Sequence, residues 1–184
     1  MLPSWFELLI KSEVFNAIFF VLPSFISNTS PMLFGGGLPM DFRKNWFDGR
    51  RILGNNKTIR GFAAGFIAGF LFGIFVSWWF TNIIFKNMVD PPFIVPLTNG
   101  FLQGLGGVTG DAVGSFIKRR LNIPPGGSLI IMDQIGFIVF GLAFARIDTA
   151  FPWTYWVIII PLSLILHFAA NAVGYTMGWK DVWW

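Results

Sequence analysis

Five stretches of this chain, near 9–29, 61–84, 93–117, 128–147 and 153–177, each run close to the length of a membrane span in mostly apolar residues, interrupted by Gly, Pro and a few polar side chains. A helix needs about 20 such residues to cross the hydrocarbon core of a bilayer, where no water is present to satisfy an open backbone. The pattern predicts an all-α integral membrane protein with five transmembrane helices. The composition agrees, since 54% of the 184 residues are hydrophobic and only 12% are charged. The 21 Gly suit helices whose backbones approach closely, and 23 Phe with nine Trp supply packing and lipid-facing aromatic surface. Without Cys, a disulfide framework and a thiolate metal site are both excluded, and a single His excludes a multi-histidine centre. No fixed-period repeat or shift of composition divides the chain, so a single polytopic membrane domain over 1–184 is expected. Glu7, Lys11 and Glu13 are the wrong flank for a removable signal peptide, so the first stretch reads as a mature helix that Asn28, Thr29 and Ser30 bring to an end.

Charge placement sets the expected orientation. The polar loop over 35–60 holds Arg43, Lys44, Arg50, Arg51, Lys57 and Arg60, the connection after the third stretch holds Lys118, Arg119 and Arg120, and Lys180 follows the last stretch. With five spans these regions share one face and collect ten of the 13 cations, leaving Lys11, Lys86 and Arg146 on the other. The bias of Lys and Arg towards the inner face then predicts an outside N-terminus, basic cytoplasmic loops and a cytoplasmic C-terminus in the cell (plasma) membrane. Read this way, the net charge of +4 is a topology signal, and no nucleic-acid partner is expected.

Two carboxylates sit where a span should hold none. Asp111 lies seven residues before Lys118, about 10 Å deeper than the end of the third helix, and Asp133 lies about 9 Å inside the antiparallel fourth. A charged side chain at such depth is costly unless it is paired or faces a cavity, so two at matched depth mark a candidate site. All-oxygen ligands suit Mg²⁺ held by one or two carboxylates together with substrate phosphates, and the neighbouring Lys and Arg would match the remaining phosphate charge. The structural alternative is that Asp111 neutralises Lys118 across two turns while Asp133 caps or pairs elsewhere, with Lys118, Arg119 and Arg120 serving only as a stop-transfer cluster. The loop over 35–60 has an equally plain alternative, a basic connector lying on anionic headgroups.

The residues GDAVGSFIKRRLNIPPGG followed by DQIGF resemble the signature of the CDP-diacylglycerol synthase superfamily. GGGLPMDF, DGRRILGNNKTIRG, HFAAN and KDVWW extend the resemblance, in order over nearly the whole chain, to its archaeal branch. That branch transfers CMP from CTP to an isoprenoid glycerol ether-lipid phosphate and releases pyrophosphate. The resemblance implies that Asp111 and Asp133 are the Mg²⁺ carboxylates and that Lys118 and Arg119 act with them as catalytic groups on the nucleotide phosphates. It also implies that Asp41, Arg50, Arg51, Lys57, Arg60, Ser115, Arg120 and Asn171 contact CTP or the lipid phosphate. Two departures stand out. Gly136 occupies the last position of the Asp-Gln-x-Asp block, and Asn55 and Asn56 stand where an acidic residue is expected.

Two other classes are compatible with the same residues. A small ion or solute transporter could use intramembrane Asp111 and Asp133, but its polar residues should continue to the far side, whereas these concentrate near the basic end. A non-enzymatic protein binding anionic membrane lipids would need only the basic loops. Nothing in the residues assigns an oligomeric state.

Overall fold

A computed structural model describes residues 12–86, 94–124, 127 and 129–178, with Ile130, His167, Ala170, Asn171 and Gly174 described by backbone only. Lys180 and the KDVWW motif lie outside the described residues. Five α-helices appear among them: α1 Glu13–Phe34, α2 Ile59–Trp79, α3 Leu97–Arg120, α4 Ile130–Ala145 and α5 Thr154–Thr176. A turn of π-helix, Phe80–Ile84, prolongs α2, with the Phe85 N–H reaching back to the Phe80 carbonyl. Two of these segments, Glu13–Phe34 and Ile59–Ile84, are long and apolar enough to cross a membrane.

Two boundaries differ from the sequence expectation, each for a local reason. Helix α1 does not stop at Asn28–Ser30, because Thr29 and Ser30 turn their hydroxyls onto the Phe25 and Ile26 carbonyls, which lets the helix run on to Phe34. Helix α3 does not stop before Lys118. Its last turn contains Lys118, Arg119 and Arg120, where cations complement the negative end of the helix dipole. It ends on Asn122 in the left-handed region (φ 61°), with Ile123 N–H bonded to the Lys118 carbonyl and Asn122 N–H to that of Arg119. That pair of bonds is a Schellman stop, which Asn tolerates better than most side chains.

Helix α3 lies at the centre, packed against α1, α2 and α4, while α5 packs on α4 and α1. It is the least apolar of the five helices and yet the innermost, as expected where lipid is the outer solvent. Backbones nearly touch. A Cβ on Gly69 of α2 would stand 2.8 Å from both the Gly104 Cα and the Ser27 Cβ. On α3, one at Gly106 would stand 2.5 Å from the Phe140 carbonyl oxygen and one at Gly110 2.5 Å from that of Gly136. Such contact lets van der Waals packing, rather than a hydrophobic force absent from lipid, hold the helices together. Towards the end of the bundle remote from Lys118, an apolar cluster including Phe20, Phe80, Ile138, Leu142, Phe151 and Ile159 fills the interior.

A buried polar ladder threads that same region. Ser24 donates to Gln103 Oε1 (2.9 Å), Gln103 donates to the Phe20 carbonyl and to Asn99 Oδ1 (both 2.8 Å), Asn99 donates to Thr149 Oγ1 (3.0 Å), and Thr149 donates to Asp148 (2.9 Å). Polar residues are therefore not confined to the basic end, contrary to the sequence expectation. Each of these side chains is engaged with another, so the ladder is a set of interhelical ties. Such ties suit a polar group that has no water to turn to.

Candidate active site

The loop between α1 and α2 is built around one buried carboxylate. Asp41 accepts from Arg51 Nη2 (2.6 Å) and Nε (3.1 Å), and from the backbone N–H groups of Arg43 (3.0 Å), Leu53 (3.0 Å) and Gly54 (2.9 Å). Single bridges pairing Pro39 with Thr58 and Asn45 with Arg51 close the loop on itself. Asp41 was expected to contact substrate. It is instead fully occupied in shaping the loop, with its side chain removed from solvent. Burial opposes its ionised form, but the Arg51 guanidinium and the Gly54, Leu53 and Arg43 N–H groups outweigh burial and hold the carboxyl well below the usual carboxylate range.

A depressed folded-state pKa contributes stability that is complete above the unfolded value of 3.8 and declines only as pH falls below it. The loop of the parent protein should therefore resist limited proteolysis equally at pH 7 and pH 5. Asp41→Asn, which abolishes the ion pair, should be cut within this loop at least several times faster at both pH values, for a local loss of about 2 kcal/mol.

From this loop Lys57 reaches α3, and its Nζ lies 2.5 Å from Asp111 Oδ2. Lys118, in the last turn of α3, lies 2.7 Å from Asp133 Oδ1 on α4, and Asp133 Oδ2 accepts the Leu129 N–H at the start of that helix (3.0 Å). The pairing of Asp111 with Lys118 along one helix, the structural alternative to a metal site, is absent; both ion pairs instead cross between elements. The antiparallel register brings Gly110 against Gly136 and Phe137, and Gly114 against Met132. Asp133 is thereby level with about position 113, some two residues or about 3 Å of rise from Asp111. Position 136 lies on the α3-facing side of α4, where a Cβ would stand 3.6 Å from the Gly110 carbonyl oxygen, an ordinary contact, so the packing does not account for the missing acidic side chain. Among the described residues no group of three His, Cys, Asp or Glu gathers at one point.

Three cavities follow one another along the same end of α3. The deepest is a cleft of about 20 Å³ lined by Pro31, Gly61, Phe62, Val108, Asp111 and Lys57. The next, about 160 Å³, is lined by Asn55, Asn56, Lys57, Ser115, Lys118, Arg119 and Asp133. The outermost, about 500 Å³, is lined by Arg50, Arg51, Gly54, Asn55, Arg119 and Asn122. Neighbours share walls: Asn56 and Lys57 belong to the first two, and Gly54, Asn55 and Arg119 to the last two. The result is one trough whose inner end, with Asp111 and Lys57, meets the helices and whose cationic outer end meets the loops, with Asp133 on the cavity between.

Arg119 is buried to 8% exposure where the two outer cavities meet, donates to the Pro124 carbonyl (3.1 Å), and keeps its Nε without a partner among the described residues. Arg51 joins the wall while bonded to Asp41 and to Asn55 Oδ1 (2.8 Å). Arg120 takes another part. Its guanidinium pairs with Asp48 (3.0 Å), donates to the Arg51 carbonyl (2.6 Å) and lies over the Phe116 ring, clasping the loop to α3, and Arg50 returns a bond to the Arg120 carbonyl. Arg60 is exposed on the first turn of α2 and lines none of these three cavities. The side chains of His167 and Asn171 lie outside the described residues.

Asn55, Asn56 and Asn122 were not singled out as contacts from the sequence. Their signal was available for the first two, which stand between a glycine and Lys57 in a loop of cations, whereas Asn122 acquires its place only from the stop of α3.

The CDP-archaeol synthase (CarS-like) family model matches residues 9–184. A CDP-archaeol synthase of Methanococcus maripaludis is 42% identical over 177 residues, covering 93% of this chain and 97% of that protein. One from Pyrococcus furiosus is 39% identical over 171 residues, covering 93% and 98%. A solved structure described as an intramembrane enzyme for archaeal membrane lipids biosynthesis superposes with a TM-score of 0.70 at 35% identity, over 84% of this chain and 92% of that one. With a match of this extent, and with apolar helices enclosing a carboxylate and lysine site, this chain is a membrane protein of the CDP-archaeol synthase family.

Proposed function

We propose that this chain transfers CMP from CTP to an isoprenoid ether-lipid phosphate, forming the CDP-activated lipid and releasing pyrophosphate. The observation that carries the reading is the trough itself: an inner end among the helices with Asp111 paired to Lys57, a middle with Asp133 paired to Lys118, and an arginine-walled mouth. The family relationship supports the same reaction.

A lipid phosphate monoester is already anionic at neutral pH, so its oxygen can attack the α-phosphorus without a general base, and the Pα–O bond to the β-phosphate breaks with its electron pair leaving on pyrophosphate. What the reaction needs is positioning and neutralisation of gathered negative charge. Lys57, at the wall shared by the two inner cavities, would hold the lipid phosphate; Lys118 and Arg119 would hold the nucleotide phosphates. Ser115, on the same wall, offers a hydroxyl to either. In the absence of substrate both ammonium groups neutralise the carboxylates, and they are free to turn to phosphate when it arrives.

The donor set fits Mg²⁺. Asp111 and Asp133 are hard oxygen ligands, partly exposed to the trough and each already facing a positive charge at 2.5 or 2.7 Å. Mg²⁺ commonly takes one or two carboxylates and completes its shell with water and substrate phosphates, which accords with the absence of a third acidic group among the described residues. Asp111 and Asp133 would hold the ion, which when bound would polarise phosphate oxygens and offset charge developing in the transition state.

In this reading all five helices span the bilayer as one domain. The N-terminus lies outside, and the loop over 35–60, the carboxylate end of α3 and the C-terminus are cytoplasmic, because ten of the 13 cations fall on that side. The bonded state of the ladder disfavours transport along the bundle axis. The test is direct: the solubilised protein supplied with CTP, Mg²⁺ and an unsaturated isoprenoid ether-lipid phosphate should yield pyrophosphate and CDP-lipid in equal amounts. No product above a protein-free control would overturn the assignment.

A further inference from the structure

The loop between α1 and α2 carries an apolar tip that the trough does not use. Trp46 and Phe47 head a tight turn, in which the Trp46 N–H donates to the Arg50 carbonyl (2.7 Å) and the Gly49 N–H to the Trp46 carbonyl (3.0 Å). Phe47 is 97% exposed and Trp46 43%, and neither lines any of the three cavities. A fully exposed Phe beside a partly exposed Trp, on a loop otherwise rich in charge, is a surface shaped to meet something apolar.

The position of the tip identifies that partner. Trp46 packs edge-on against Phe47 (ring centroids 5.1 Å apart) and against Phe116 of α3 (5.4 Å). Helix α3 meets α2 through Gly100 and Gly104, α4 through Gly106 and Gly110, and α1 through Gly107. With 3.6 residues per turn, Phe116 lies within about 20° of Leu105 and Thr109 around the helix, on the face opposite α1 and between the α2 and α4 contacts. Leu105 and Thr109 are only half-buried while Gly104, Gly106, Val108 and Gly110 around them are buried, so this face points out of the bundle towards lipid. Phe116 also stands two residues before Lys118, where the apolar helix gives way to three cations. A row of three rings therefore starts on the lipid-facing side of α3, at the level where cations take over, and ends in Phe47. Aromatic side chains favour that level of a bilayer.

We infer that the Trp46–Phe47 tip is an interfacial anchor, seated at the boundary of headgroups and acyl chains in the bilayer around the bundle, with Arg43 and Lys44 against anionic lipid headgroups. The inference rests on the chain being a membrane protein and is independent of the reaction assigned to the trough.

Charge and backbone support the same placement. Arg43 and Lys44 are exposed, line none of the three cavities and form no ion pair among the described residues. Cations beside aromatic rings are the combination that an anionic membrane surface retains. Phe42 and Arg43 both hold a positive φ (49° and 64°), uncommon without Gly. The turn is kept by Asp41, whose carboxylate accepts the Arg43 N–H (3.0 Å) and whose carbonyl accepts that of Lys44 (2.8 Å). The shape that presents the tip is thus set within the loop and not by what the Phe47 ring touches. Asn45 pairs with Arg51 at the base of the turn, so a seated tip also fixes where Arg51, on the trough wall, stands relative to the headgroups.

The test uses the full-length protein in nanodiscs of mixed neutral and anionic lipid. The chain has no Cys, so Phe47→Cys and Asn55→Cys each supply a single thiol for an environment-sensitive fluorophore. Asn55, exposed on the trough wall, is the water-facing reference. A lipid-borne nitroxide near the headgroup should quench the label at 47 at least about threefold more strongly than the label at 55, and aqueous acrylamide should show the reverse order. Neutral lipid alone, or Arg43→Gln with Lys44→Gln, should weaken the lipid quenching at position 47 by about twofold or more. Acrylamide quenching at 47 equal to that at 55, with no effect of the lipid nitroxide, overturns the anchor and leaves a soluble protein as the occupant of the tip. Lipid quenching indifferent both to anionic lipid and to the two glutamines overturns the headgroup contact.

Discussion

Asp111→Asn and Asp133→Asn should each lower CMP transfer by roughly 10³-fold while leaving the protein folded. Both replacements keep the shape of the side chain and remove only its charge. On this reading that charge does two things: it holds Mg²⁺, and it restrains an ammonium group until phosphate arrives. Loss of a single preorganised electrostatic contact in a closed site costs about 10² to 10³ in kcat, and weakened binding of a metal ion adds to that. The effect on folding should be small, since Lys57 and Lys118 keep partial contact with water when unpaired. Helical circular dichroism and the elution of the detergent complex should match the parent, while pyrophosphate release falls away. If Asp111→Asn retained activity within tenfold, Asp111 would serve only to neutralise Lys57. The metal assignment would then fail.

The second large effect concerns a residue with no chemistry. Gly110→Val should lower the apparent Tm by about 10 °C and remove most activity even where folded protein is recovered. A Cβ at Gly110 would stand 2.5 Å from the Gly136 carbonyl oxygen and 2.8 Å from the Phe137 Cα, both backbone atoms that cannot rotate away. Helices α3 and α4 must separate, at a cost of about 3 kcal/mol or more. Because Asp111 is the next residue and Asp133 lies on α4, separation also pulls the two carboxylates apart, and about 1 Å of misplacement can lower a rate about 10²-fold. Gly114→Ala, one turn further along α3, is the control. Its Cβ would meet the flexible Met132 side chain at 3.6 Å, ordinary van der Waals contact, so stability and activity should hold. Equal damage from both substitutions would mean that helix propensity, not the α3–α4 contact, governs the outcome.

The sequence carries one signal that a spacing count would have revealed. Asn99, Gln103, Gly107, Asp111, Ser115 and Arg119 recur every four residues, a row that winds gradually around α3. Its first half became the interhelical ladder and its second half the trough. Only its second half drew attention in the sequence, because charge is conspicuous in an apolar stretch and an amide is not. Asp41 shows the opposite error. The resemblance carried by GGGLPMDF implied substrate contact, whereas five donors are gathered around this carboxylate by the turn of the loop.

By itself the sequence determined that the chain builds apolar helices, that Asp111 and Asp133 approach one depth, and that cations crowd one end. These follow from hydropathy, rise per residue and charge, which are properties of position along a chain. Which lysine meets which carboxylate was decided only by the tertiary structure. Lys57 is 54 residues from Asp111, and its reach depends on a loop folded about Asp41, a matter no local periodicity encodes. The order of the three cavities is likewise a tertiary fact. It exists because glycines let α2, α3 and α4 close to backbone contact along the bundle, while the longer side chains at the end of α3 hold the loop and helices far enough apart to leave a trough.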